Sequence, residues 1–143
     1  MTTPIVVDTN VLAPGFVGTA SVSVRLIRLW RAHGYELVVS EHLLGELERT
    51  YADPYYAARV PSEDAASIIR LLRSTARLTE LTVPVSGIAT QPEDDLVLAT
   101  ALSGGASYLA TRDKQLLKLA HYRGLVILHP GDLLDLLTSE FNL

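Results

Sequence analysis

The sequence has no cysteine, a single tryptophan, a single methionine and no long hydrophobic run. Without cysteine, disulfide bonds, thiolate metal sites and cysteine nucleophiles are excluded. No apolar stretch approaches the roughly 18 residues that a membrane-spanning helix requires. Residues 1–4 carry no basic side chain and lead almost directly to Asp8, which is atypical of a signal peptide. These absences predict a cytoplasmic protein without a membrane association.

The composition is that of an ordinary globular protein. Its 143 residues, 48% hydrophobic and 20% charged, are enough to bury a substantial core. No linker, repeat or low-complexity tract divides them, so we expect a single domain over residues 1–143. The formal net charge of −4 argues against a charge-driven nucleic-acid binder. It is compatible with an enzyme acting on nucleic acid, because metal ions can bridge an acidic site to a phosphate.

Short apolar strands alternate with helical patterns along the chain. Proline and glycine residues predict a loop over residues 13–18. The alternation predicts an α/β fold, a three-layer α/β/α sandwich with a central parallel sheet of four to five strands. The predicted strands are residues 5–7, 36–40, 78–85, 107–110 and 125–128.

The first predicted strand ends in Asp8, and Thr9 and Asn10 follow it. Ligands of open α/β sheets bind outside the carboxyl ends of the strands, which makes these polar side chains candidates for a site. An Asx turn or a helix cap explains Asp8 or Asn10 equally well when this segment is considered alone.

The common catalytic motifs of α/β folds are missing. No Lys-Ser or Lys-Thr pair follows Gly15 and Gly18, so a nucleotide-binding P-loop is absent. Neither the dinucleotide-binding glycine pattern nor a Gly-x-Ser-x-Gly nucleophile elbow occurs. The four histidines lack metal-ligand spacing, which argues against a zinc site.

Acidic residues instead recur at matching positions of separate strand–helix units. Asp113 ends the fourth predicted strand as Asp8 ends the first, and Asp94 and Asp95 begin a helix. Glu46 lies on the helix after the second strand. If these carboxylates converge they raise one another's pKa and require cations, and oxygen ligands suit Mg²⁺ or Mn²⁺. Their joint placement therefore favours a metal site.

Each acid also has a purely structural explanation. Asp113 is equally suited to cap the following helix, and Asp94 or Asp95 to complement a helix dipole. Glu46 has the alternative of being a solvated helix residue, like its acidic neighbours on the same helix.

Three segments together resemble the PIN domain, the metal-dependent ribonuclease fold found in many toxins of bacterial and archaeal toxin–antitoxin pairs. They are VVDTNVL at residues 6–12, SEHLLGEL at residues 40–47, and EDDLVLATA at residues 93–101 continuing to LATRD at residues 109–113. The first segment alone is weakly specific for this family, whereas all three segments in this order and with these spacings are strongly specific for it.

The resemblance implies a role for each acid. It makes Asp8 the central metal ligand, completed by Glu46, Asp94 and Asp113, and it leaves open whether Asp95 is a further ligand. Mg²⁺ or Mn²⁺ is the implied cofactor. Supporting roles in holding ligands and water fall to three polar residues, Thr9, Asn10 and Thr111.

The implied activity is endonucleolytic hydrolysis of RNA by the toxin of a type II toxin–antitoxin system. The alternative is a catalytically silent PIN-like module that binds RNA or a protein in the same groove. A phosphatase with an aspartyl nucleophile is a weaker alternative, because it requires an aspartate two residues after Asp8, where Asn10 stands.

The resemblance also implies partners, namely an RNA substrate, a cognate antitoxin and a second copy in a homodimer. Aromatic candidates for an interface are Trp30, Tyr51, Tyr55 and Tyr56, although core packing is the preferred interpretation for Trp30.

Basic residues have two interpretations. Arg112 and Lys114 flank Asp113, where they can contact the RNA backbone or form an ion pair with one of the acids. Arg25, Arg28 and Arg31 form a stripe on a predicted helix, for which a solvated face is preferred over a phosphate contact.

Overall fold

A computed structural model of the chain, which describes residues 2–140, contains a mostly parallel β-sheet. Within the described residues its strands are β1 (Pro4–Val7), β2 (Glu36–Val39), β3 (Arg77–Leu78), β4 (Tyr108–Ala110), β5 (His121–Tyr122) and β6 (Leu125–Leu128). The strand order is β3-β2-β1-β4-β6-β5, and only the β5–β6 pair is antiparallel. The central strand β1 pairs with β2 on one side and β4 on the other.

Helices cover both faces of this sheet. They are α1 (Thr9–Gly15), α2 (Val22–Arg31), α3 (Glu41–Ala52), α4 (Pro54–Ala57), α5 (Ser62–Thr75), α6 (Pro92–Ser103), α7 (Lys114–Leu119) and α8 (Pro130–Glu140). Ile5 and Val7 of β1 pack into the core with α1, α2, α3, α5 and α8, whereas Val6 packs with α6 and α7 on the opposite face. The predicted three-layer α/β/α architecture is confirmed. None of the described helices is long and apolar enough to span a membrane.

The sheet differs from the prediction in two places. The predicted strand at residues 78–85 is wrong, because only Arg77 and Leu78 pair with β2. The backbone N–H of Thr79 still donates to the carbonyl of Val39, and beyond it the amides of Thr82 and Val83 donate to the hydroxyl of Ser103 instead. The two-residue strand β5 was not predicted and raises the number of strands to six in the described residues. The other four predicted strands agree with the observed bounds to within one residue.

The predicted loop at residues 13–18 is wrong over its first half, because α1 continues through Pro14 to Gly15. Three consecutive buried residues hold this helix in the core, Val11, Leu12 and Ala13. A Cβ on Gly15 would lie 2.5 Å from Cγ1 of Ile27, so glycine here permits close packing of α1 against α2.

The aromatic residues divide between core and surface. Trp30 and Tyr51 are buried, and the Tyr51 hydroxyl donates to the carbonyl of Ala13. Core packing is therefore confirmed for Trp30, and Tyr51 is unsuited to an interface. Tyr55 is 58% exposed and remains a candidate for one. The arginines of the predicted stripe on α2 are exposed, as the solvated-face interpretation expects.

Candidate functional site

The carboxyl ends of β1, β2 and β4 bring four acidic side chains to one edge of the sheet. We call Asp8, Glu46, Asp94 and Asp113 the acidic edge. Their proximity is visible in the electrostatics, because the charges of Glu46 and Asp113 raise the pKa of Asp8 and those of Asp113, Asp8 and Glu46 raise the pKa of Asp94. The acids predicted from separate segments of the sequence therefore lie within electrostatic range of one another.

Asp8 is the most enclosed of the four, with 4% of its surface exposed. Its Oδ1 accepts the backbone N–H of Thr9 at 2.8 Å, and its Oδ2 accepts the Thr111 hydroxyl at 2.8 Å. Burial raises the pKa of Asp8, although the hydrogen bonds from Thr111 and Thr9 act in the opposite direction. Asp8 also caps α1, so the capping role and a position at the centre of the site coexist.

Asn10 and Thr111 form a hydrogen-bonded bracket beside Asp8. The Asn10 amide donates to the Thr111 hydroxyl at 3.4 Å and accepts the backbone N–H of Arg112 at 3.1 Å. The fully buried Thr111 also accepts the backbone N–H of Asp113 at 3.0 Å. The bracket ties the start of α1 to the segment after β4 and holds both side chains beside Asp8.

Asp113 caps the N-terminus of α7. Its Oδ1 accepts the backbone N–H groups of Gln115 and Leu116, at 2.8 and 3.2 Å. Its Oδ2 accepts no hydrogen bond from any residue that the structure describes. The capping interpretation is thus confirmed, and one carboxylate oxygen is left for a ligand.

Glu46 is held on both of its oxygens rather than solvated. Nε2 of His42 lies 2.6 Å from its Oε1, and the Thr9 hydroxyl donates to its Oε2 at 3.3 Å. The hydrogen bond with Glu46 raises the pKa of His42, against the opposing effect of burial. His42 was not predicted as a site residue. Its spacing of four residues from Glu46 on a helix was the available signal.

Asp94 and Asp95 have opposite environments. Asp94 is half-buried, and its carboxylate accepts no hydrogen bond within the described part of the chain. Burial, followed by the charges of Asp113, Asp8 and Glu46, raises its pKa to about 6. Asp95 is 6% exposed, and its two oxygens accept the backbone N–H groups of residues 87, 88 and 89 at 3.0, 3.2 and 2.7 Å. These bonds occupy Asp95 in holding the loop before α6.

The donor chemistry of the acidic edge fits a hard divalent cation. All four side chains are carboxylates, and their mutual repulsion is relieved when a cation is present. As arranged here, no three Asp, Glu or His side chains among the described residues are close enough to hold a metal ion. A cation held by three of these side chains would therefore require side-chain movement. A groove of about 520 Å³ adjoins Glu46, lined also by Arg49, Thr50 and Glu93.

Comparison with known proteins identifies similarities in sequence and in fold. A family model of the PIN domain matches residues 4–115. Three solved structures share the fold at low sequence identity. VapBC2 from Rickettsia felis, bound to a DNA fragment from its promoter, has a TM-score of 0.62 and 14% identity over 87% of this chain and 97% of the other.

Two further structures give similar values. VapC20 from Mycobacterium tuberculosis, a toxin that cleaves the Sarcin-Ricin loop, has a TM-score of 0.56 and 19% identity over 85% and 98% of the two chains. A protein from Pyrobaculum aerophilum has a TM-score of 0.58 and 18% identity over 97% and 99%. No curated protein matches the sequence. Because the family model matches well over half of this chain, the chain belongs to the PIN domain family.

Proposed function

We propose that the protein is a metal-dependent endoribonuclease and acts as the toxin of a type II toxin–antitoxin pair. The observation that supports this most is the buried Asp8 carboxylate, oriented by Thr111 and Thr9 and surrounded by three further acids. A structural cap does not require this surplus of negative charge. Membership of a family whose members are generally nucleases and likeness to a toxin that cleaves the Sarcin-Ricin loop point the same way.

The acidic edge would hold the cation through Asp8, Glu46, Asp94 and Asp113. Mg²⁺ or Mn²⁺ bound there would lower the pKa of a water molecule and stabilise the charge that develops on the phosphate. Asp95 is outside this set because its oxygens already accept three backbone N–H groups.

Other side chains of the site would position the carboxylates and orient the attacking water. Thr111 and Asn10 keep the Asp8 carboxylate in place, and Thr9 does the same for Glu46. The Asp94 carboxylate accepts no hydrogen bond from a described residue, so its oxygens are suited to orient the attacking water.

Arg112 would contact the RNA backbone. Its side chain is exposed, and its guanidinium lies 3.3 Å from Nε2 of His129 and 3.5 Å from the hydroxyl of Ser23. Among the described residues the ion pairs are His42–Glu46, Arg73–Glu41 and Arg77–Glu36, so Arg112 is not paired with an acid there. This favours the phosphate contact over the surface ion pair, and the exposed Lys114 would add to it.

The partners follow from the family resemblance. A cognate antitoxin would enter the acidic edge and block it, and a second copy of the chain would complete a homodimer in the cytoplasm. Tyr55, exposed beside Tyr56, is the aromatic residue best placed for such an interface.

Cleavage of RNA in the presence of Mg²⁺ or Mn²⁺ tests the activity. We expect cleavage by the wild-type protein, its loss on addition of EDTA, and its loss in Asp8→Asn. Glu48→Gln is the matched control, since it removes an exposed acid from α3 two residues beyond Glu46. Cleavage that persists in EDTA or in Asp8→Asn would overturn the proposal.

The silent binding module is the second candidate, favoured by the separation of the acids in the described residues. It predicts that RNA or an antitoxin binds while Mg²⁺ and Mn²⁺ neither bind nor support cleavage.

A further inference from the structure

We propose that His42 is a positioning residue that fixes Glu46 relative to the N-terminus of α6 and so sets the acidic edge for cation binding. This inference rests on the proposed function. His42 is neither one of the four acids nor one of the residues that bracket Asp8.

The geometry places His42 between the two helices that carry Glu46 and Asp94. Its Nε2 is 2.6 Å from Oε1 of Glu46 on the same helix, α3. The same nitrogen is 3.2 Å from the backbone carbonyl of Glu93, the residue before Asp94 in the first turn of α6. The Nε2–H group of His42 thus contacts α3 at Glu46 and contacts α6 at the residue before Asp94.

Both hydrogen-bond partners of Nε2 are acceptors, which defines whether this nitrogen carries a hydrogen. An ionised carboxylate and a backbone carbonyl have no proton to donate, so Nε2 of His42 must carry the hydrogen. A nitrogen that carries a hydrogen has no lone pair for a metal ion. His42 therefore acts on the cation only through Glu46 and the position of α6.

A histidine and a glutamate four residues apart on a helix often form a surface pair worth a few tenths of a kcal/mol. Two features distinguish this pair. Its side chains are only 12% and 18% exposed, and the other oxygen of Glu46 is held by the Thr9 hydroxyl. The carboxylate is therefore fixed at both ends, by α3 through His42 and by α1 through Thr9.

Replacement by glutamine and by asparagine separates positioning from mere packing. The side-chain amide nitrogen of glutamine reaches about as far as the histidine Nε2, whereas that of asparagine reaches only as far as Nδ1. His42→Gln can thus retain a donor to Glu46, and His42→Asn and His42→Ala cannot. His121→Ala is the control, because this histidine is exposed on β5.

The experiment is a calorimetric titration of each purified variant with Mn²⁺, accompanied by denaturant unfolding. We expect His42→Asn and His42→Ala to bind Mn²⁺ about 10-fold more weakly than the wild type, within the range typical of residues that orient metal ligands. His42→Gln should stay within about 3-fold of the wild type, and His121→Ala should be unchanged. Rescue by glutamine is a result that a purely structural role would not give.

Two outcomes distinguish failure of the positioning role from failure of the proposed function. If all three His42 variants bind Mn²⁺ as the wild type does, the positioning role is wrong and the proposed nuclease stands. If the wild type itself binds no Mn²⁺, both the proposed function and the positioning role are wrong.

Discussion

The two halves of the acidic edge are built differently. In the β1–β4 half, Asp8 and Asp113 are supported by Asn10 and Thr111 through side-chain and backbone hydrogen bonds that centre on the buried Asp8 and Thr111. The α3–α6 half comprises Asp94 and Glu46, and His42 contacts Glu46. Here Asp94 accepts no hydrogen bond from a described residue, and its pKa is raised to about 6.

The difference shows how a fold can carry a cluster of like charges. A buried carboxylate such as Asp8 is tolerated because donors are fixed around it. A carboxylate without donors, such as Asp94, is tolerated because it is half-exposed and can take up a proton. We infer that the first half is preorganised for a ligand, whereas in the second half the Asp94 carboxylate adjusts when a cation arrives.

Removal of the Asp94 charge should have the largest effect on function. We expect Asp94→Asn to lower RNA cleavage by at least about 100-fold, the upper end for residues that merely orient metal ligands. The free energy of unfolding should stay constant or rise, because a carboxylate that the fold disfavours is removed. Cleavage assays and denaturant unfolding measure both, with the exposed Glu48→Gln on α3 as control. Equal activity in the two variants would contradict the assignment.

Substitution of the neighbouring Asp95 should lower the free energy of unfolding, which is the reverse of what we expect for Asp94. Asp95→Ala leaves three backbone N–H groups of residues 87–89 without their acceptor and should lower the free energy of unfolding by roughly 3 kcal/mol. Asp95→Asn retains one acceptor oxygen and should lose less. If Asp95→Ala unfolds at the same denaturant concentration as Asp94→Asn, the contrast between the two acids is wrong.

Loss of the Thr111 hydroxyl should loosen the β1–β4 half. Thr111→Val removes the donor to Asp8 and the acceptor for the Asp113 amide, and should cost about 2 kcal/mol of the free energy of unfolding. Thr111→Ser keeps the hydroxyl and serves as the matched control. A valine variant as stable as the serine variant would show that the bracket contributes nothing.

The smallest effect that we expect is a pH dependence from Asp94. Because its pKa in the folded state is about 6, above its ordinary value of 3.8, its stabilising contribution is complete below pH 3.8 and is lost as the pH rises through 6. Cation binding must displace this proton, so Mn²⁺ affinity should rise with pH up to about 6 and then level off.

The slope of the free energy of unfolding against pH and that of the Mn²⁺ affinity against pH should both be shallower in Asp94→Asn. They should not vanish, because burial also raises the pKa of Asp8. Thermal unfolding and Mn²⁺ titration between pH 4 and 8 measure the two slopes. Parallel curves for the variant and the wild type would show that Asp94 does not titrate in this range.

The sequence predicted those parts of the fold that depend on local pattern. Runs of β-branched residues marked β1, and the polar residues after β1 and β4 marked the edge where the site lies. The predicted strand at residues 78–85 was wrong because its pairing depends on a distant partner, and Ser103 on α6 binds the backbone there instead. The continuation of α1 through Pro14 likewise depends on core packing that a local proline signal does not reveal.

The same limit applies within the site. The positions of Asp8 and Asp113 follow from strand ends, so they were predictable from order alone. The distinction between Asp94 and Asp95 depends on which carboxylate the loop at residues 87–89 closes upon. The contact of His42 with the Glu93 carbonyl joins two helices about 50 residues apart in the sequence, and spacing indicated only its pairing with Glu46.

Cation binding is the central claim, and counting bound Mn²⁺ by electron paramagnetic resonance tests it most directly. We predict saturable binding to the wild-type protein, retained in Glu48→Gln and lost in Asp8→Asn. Wild-type protein that binds no more Mn²⁺ than Asp8→Asn would contradict the account.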